Sequence, residues 1–212
     1  MTKAALRKRW GDPAFLAALP IRPDREPTAK QLRSLDLRGV PHLGNGEPLW
    51  QFAIRAKTAD TIDLSFGDGA LTVNASQVHK LTAIEFRFDR ASNFYQSTFS
   101  DCDFTRARLR LDMTDCTFVN GCFDGSTFAG GIQEHGLRRC TFENCSFKGA
   151  IWKNTYVLAT RFIACEFKGM EFHNSSIAGF KHKACNPASE IKFVDCEVRS
   201  ILDISNEGAT PP

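Results

Sequence analysis

Residues 142–177 read FENCSFKGAIWKNTYVLATRFIACEFKGMEFHNSSI, and a large apolar residue falls at every fifth place: Phe142, Phe147, Trp152, Val157, Phe162, Phe167, Phe172 and Ile177. A helix repeats its buried stripe near 3.6 residues and a strand alternates by two, so a period of five belongs to neither. A second column lies two residues before each of these positions: Cys140, Cys145, Ala150, Thr155, Thr160, Cys165, Met170 and Ser175, nearly all small. Eight hits at one period with a matched small column set aside chance spacing in an ordinary antiparallel sheet. The backbone must therefore complete one short strand and one corner in five residues.

The same grammar runs earlier through Phe94, Phe99, Phe104 and Leu109, preceded by Ser92, Ser97, Cys102 and Ala107. It resumes one residue out of step at Met113, Phe118, Phe123 and Phe128, and returns at Phe193 and Val198 with Cys196 in the small position. Two stretches break it. From Phe128 to Phe142 the chain covers AGGIQEHGLRR, and beyond Ile177 it covers AGFKHKACNPASEIK, where Pro187 takes a central place and cannot donate to a ladder. Segments 129–139 and 179–191 are thus expected to be projecting loops or altered corners.

This pattern resembles the pentapeptide-repeat family in its Phe-centred form, F-x-x-C-x, with CTFENCSFKGA and FIACEFKGMEF carrying the likeness. The resemblance implies an all-β fold, a right-handed quadrilateral β-helix in which each pentapeptide is one side and four make a coil. Stacking coils at the strand spacing of ~4.8 Å satisfies the backbone between coils and lines up the central side chains inside. So narrow an interior has no room for two large rows, which accounts for the small column.

The chain divides on this basis into residues 1–83, a cap helix with irregular β coils continuous with the solenoid, residues 84–204, the repeat itself, and a tail at 205–212. In DPAFLAALP, Asp12 is a helix N-cap, Pro13 is the first helical residue, and Phe15, Leu16 and Leu19 share an apolar face. Further on, SLDLRGV, LWQFAIRA, TIDLSF and ALTV alternate in the strand manner between Gly and Asp turns. A β-helix leaves interior and unpaired edges open at its ends, so the helix is expected to cover the first coil.

Eighteen Phe against two Tyr imply apolar surroundings for most rings. The net charge of +3 is far from the excess that non-specific nucleic-acid binding requires, and residues 84–204 hold fifteen acidic and fifteen basic side chains. No stretch reaches the ~18–20 apolar residues of a spanning helix and no secretory signal is visible, so no membrane association and a cytoplasmic location are expected. Six of the eight Cys (Cys102, Cys116, Cys140, Cys145, Cys165 and Cys196) occupy the small inward position, where a reduced thiol is an apolar filler. Cys145, Cys165 and Cys185 are twenty apart, yet stacked rings leave no room for zinc, so no metal and no cofactor are expected. No phosphate loop, nucleophile elbow or HExxH occurs, and the five His are scattered, so no catalytic residues are assigned and no enzyme is expected.

What remains is surface. Lys148 and Lys168 form a column on one face, while Tyr156 and Leu158 lie on another, apolar one with Ser176 and Ala178. Arg106, Arg108 and Arg110 project outward around Ala107 and Leu109. If the step from 128 to 142 is a deletion, these Arg join Lys148 and Lys168 in one strip; if it is an insertion, they fall on different faces. The expected function is a non-catalytic protein–protein interaction scaffold, such as an immunity or self-protection protein that binds a toxin or target protein, acting as a monomer or weak dimer. The alternative, implied by the resemblance, is a DNA mimic that binds a type II topoisomerase, DNA gyrase, and confers quinolone or toxin resistance. A mimic needs an acidic surface in place of phosphates, which the balanced repeat lacks. Direct nucleic-acid binding is not expected.

Overall fold

The structure is a computed structural model that describes residues 1–21, 26–43, 52–130, 136–185 and 190–205. The five-residue step is one side of a right-handed quadrilateral β-helix. Three sides are parallel sheets of nine, seven and eight short strands, each strand pairing only with those of the neighbouring coils. We call these faces A, B and C. The fourth side, face D, is held by single bridges through Thr82, Asp103, Cys122, Ser146 and Glu166. One coil of the regular run passes from Val157 on face C to Phe162 on A, Phe167 on D, Phe172 on B and back to Ile177 on C.

Every central residue from Phe142 to Ile177 is at most 1% exposed, which fixes the inward register. On face A the rings of Phe99, Phe118, Phe142 and Phe162 stack nearly parallel at centroid distances of 4.7, 4.9 and 5.1 Å. Phe104, Phe123 and Phe147 do the same on face D at 5.0 and 4.9 Å. Those separations match the spacing of paired strands, so the ladder and the ring stack share one repeat.

Corners follow from backbone sterics. The residue two places after each centre has φ near +50°, as at Asn144, Asn154, Ala159, Ala164 and Asn174. On face D the turn is closed by a hydrogen bond, for example Met170 N to Phe167 O at 2.9 Å, with Gly169 at φ 69°. A bond of this kind with positive φ at the third residue is a type II turn, which favours Gly.

The small column does more than fill space. Cys140, Cys145, Cys165 and Cys185 donate their thiols to the carbonyls of Met113, Phe118, Phe142 and Phe162 on the preceding coil, at 3.3, 3.6, 3.4 and 3.3 Å. Ser97, Thr160 and Ser175 bond corner carbonyls of their own coil. The apolar-filler reading of these Cys is therefore incomplete: each thiol also has a carbonyl partner on the coil beneath it.

The break between 128 and 142 is an insertion. Phe128 pairs with Trp152 on face B, Leu137 with Met113 and Val157 on face C, and Phe142 with Phe118 on face A, so only two sides separate Phe128 from Phe142. Of segment 129–139, residues 131–135 lie outside the described ones. In the second break, His182 takes the central place opposite Phe162 but is half-buried, while Phe180 turns inward and stacks on Phe162 at 4.5 Å. Large and small have exchanged places. Pro187 lies outside the described residues.

Residues before 84 keep the five-residue step with aliphatic centres, from Ile54 through Ala59 and Leu64 to Val73, Val78 and Ala83. Their irregularity is local, with Gly69 at one centre opposite Phe88. The expected helix is present as Pro13–Ala18, with Asp12 accepting from Ala14 N, but its Phe15 and Leu16 are only partly buried. An earlier helix, α1, spans Lys3–Lys8 and is capped by Thr2. We number the later one α2. Leu6 of α1 lies against the backbone of Gly39, and Trp10, Leu19 and Ile21 are buried. The cap thus rests mainly on residues flanking α2.

Candidate interaction surface

Because the break is an insertion, the two basic groups separate. Arg108 sits on face B, in register with Arg87 and Thr127. Arg106 occupies the corner between faces D and B at φ 54°, and Lys148 and Lys168 lie on face D. The single strip that a deletion would have formed does not exist. Lys148 is moreover paired with Glu166 at 2.8 Å.

Tyr156 and Leu158 lie together on face C, both only partly exposed. Tyr156 is committed internally: its hydroxyl donates to Asp112 Oδ1 at 3.0 Å, and the Arg138 guanidinium lies 5.5 Å from its ring centre. The ring covers Gly136, where a Cβ would stand 2.3 Å from the Tyr156 carbonyl oxygen and 2.8 Å from its ring. This residue seals the chain where it re-enters the helix after the insertion. Its role is structural first.

On face B, Arg87 and Arg108 stand opposite one another in adjacent strands, both exposed. Arg106 bonds Glu85 at 3.0 Å, and Glu85 also takes an ion pair from Lys3 of α1. Arg108 and Arg110 have no hydrogen bond or ion pair within the chain among the described residues. Like charges directly across a ladder repel; Arg87 has Asp68 across the ladder on its other side, whereas Arg108 faces only Arg87 and Thr127. Sequence reasoning found Arg106, Arg108 and Arg110 but missed Arg87, which twenty-one residues and one coil place beside Arg108.

Chemistry has little to work with elsewhere. His79 Nδ1 meets both Ser100 Oγ at 3.0 Å and Asp101 Oδ2 at 3.4 Å. A relay needs the two partners on opposite ring nitrogens, so the trio is not arranged as one. All eight Cys are free thiols. Burial pushes Cys102 up to about 12, and the hydrogen bond to Cys145, with burial, pushes Cys165 up to about 12. Cys116 is lowered by its bond with Cys140 but is itself buried. Nucleophilic thiols need both a thiolate and access, and none of these three has both. Among the described residues no cluster of three or more His, Cys, Asp or Glu is placed to hold a metal. No helix among them is long and apolar enough to cross a membrane.

The five-residue repeat, the left-handed corner residue and the stacked interior are the features that the resemblance to pentapeptide-repeat proteins leads one to expect. No protein-family model matches the chain, and no curated protein matches it either. Among solved structures it is similar to a trypsin-treated form of QnrB1, described as a plasmid-mediated fluoroquinolone resistance protein, at 14% identity over 83% of this chain and 94% of that one, with a TM-score of 0.48. It is also similar to HetL, a pentapeptide repeat protein involved in heterocyst differentiation regulation from the cyanobacterium Nostoc sp. strain PCC 7120, at 12% identity over 84% and 92%, with a TM-score of 0.46. At such identity, function has to be argued from this chain's own surface.

Proposed function

We propose that the protein is a non-catalytic scaffold that binds a protein partner side-on, through the Arg-bearing side of the β-helix, in an immunity or self-protection role. The observation that carries this is the exposed Arg87–Arg108 pair, flanked by Arg106 and Arg110, in which Arg108 faces a like charge and has no hydrogen bond or ion pair among the described residues, and which supplies a residue type most often dominant at interfaces. A rigid solenoid suits such a role because little conformational entropy is lost when it docks. The balanced charge of residues 84–204 speaks against DNA mimicry.

The test is affinity purification from the native host with the wild-type protein and with Arg108→Glu/Arg110→Glu. A partner retained by the first and lost by the second, at equal thermal stability, supports the reading. Retention by both overturns it, and inhibition of DNA gyrase supercoiling by the purified protein would favour the topoisomerase alternative instead.

A further inference from the structure

α1 does not sit over the end of the β-helix. It runs along its side at the corner between faces D and B. Lys3 reaches Glu85 and lies 5.2 Å from the Phe66 ring centre, Leu6 lies on Gly39, and Arg9 bonds Asp36. This places Lys3 and Arg7 beside Arg87 in one of three adjoining shallow depressions that share Arg87 and together form a groove reaching Arg108 and Arg110. Three carboxylates are interleaved with these cations: Asp68 is in register with Arg87, Glu85 lies between Lys3 and Arg106, and Asp89 borders the groove near Arg110.

We propose that this groove is one composite docking site for an acidic segment of a protein, with Arg7 and Arg87 as contacts beside Arg108 and Arg110; the proposal rests on the side-on reading above. Complementarity decides the occupant. A nucleic-acid backbone carries a phosphate at every step and would meet carboxylates on two successive coils, Asp68 on one and Glu85 and Asp89 on the next. An acidic polypeptide can aim its carboxylates at the free guanidiniums, where bidentate bonds form, and turn its amides or Lys toward Asp68 and Asp89. The like-charged stack is then relieved on binding, and α1 holds one wall of the site in place.

The experiment uses the full chain and two labelled probes, a decapeptide of alternating Glu and Ala and a ten-nucleotide single DNA strand, followed by fluorescence anisotropy at about 50 mM salt, where surface charge is weakly screened. The peptide is expected to bind, and to bind about tenfold more weakly, the loss of one charge-assisted contact, in Arg7→Glu and in Arg87→Glu. Arg87→Gln should fall between, and thermal melts should show the variants folded. The DNA strand is expected to bind no better to the wild type than to Arg87→Glu. Peptide binding that is absent, or unchanged in Arg7→Glu and Arg87→Glu, overturns the composite site, as does DNA binding that those substitutions abolish. If those variants also keep the captured partner while Arg108→Glu/Arg110→Glu loses it, the side-on reading survives and only the composite groove fails.

Discussion

Phe167 shows what a single residue does in this fold. Its ring is buried and packs edge-on against Phe162 at 5.4 Å, with Phe147 and Phe180 near it on the adjoining coils. Phe167→Ala leaves a hole that the ladder cannot collapse to fill, so denaturant unfolding should show a loss of about 3–5 kcal/mol. Tyr156 is the contrasting case. On sequence it reads as an exposed contact, because the register puts it on an outward position. What the register does not reveal is that its neighbour on the preceding coil is Gly136, over which the ring folds to reach Asp112. Tyr156→Phe should therefore cost about 1 kcal/mol in the same assay, the net worth of one hydrogen bond. Gly136→Ala should cost more, because its Cβ meets backbone.

Whole elements were legible in proportion to how strictly they repeat. The regular run from Phe142 to Ile177 could be read residue by residue because a centre every five places permits one backbone only. The insertion after Phe128 could not, since a count of fourteen fits both three sides with one residue deleted and two sides with four residues added. Leu137, the face C centre that resolves the count, sits in a segment with no other repeat signal. The helix α1 was missed because KAALRKRW offers one large apolar pair, Leu6 and Trp10, among two Ala and four charges. Thr2 as an N-cap and the i, i+4 spacing of that pair were the available signals.

The docking of α1 carries a pH signature. Burial alone would raise the Asp36 carboxyl, but hydrogen bonds from Arg9 and Arg38 outweigh it and hold the group well below the usual carboxylate range. A carboxyl depressed in the folded state stabilises above its unfolded pKa of about 3.9, and that stabilisation is lost as pH falls below it. In native-state hydrogen exchange, with each rate compared to the intrinsic rate at the same pH, residues 3–11 should therefore lose protection below about pH 4. In Asp36→Asn that protection should already be lower at neutral pH and should change little on acidification.

At the scale of the molecule, a neutral repeat conceals an uneven surface. The basic side formed by α1 and the first coils of face B differs from face C, where Tyr156, Leu158, Ser176 and Ala178 carry no charge. It also differs from the last coil, where Val194, Val198 and Leu202 are exposed. Sequence reasoning supplied the residue types for a site, but the phase of the coils decides which of them meet. Hydroxyl-radical footprinting of the protein alone and in complex with its captured partner tests the central claim most directly. The account predicts protection of the side chains at Arg87, Arg108 and Arg110 and along α1, with labelling at Tyr95, Leu158, Val198 and Leu202 unchanged. Protection confined to face C or to the last coil, with those arginines still labelled, would contradict it.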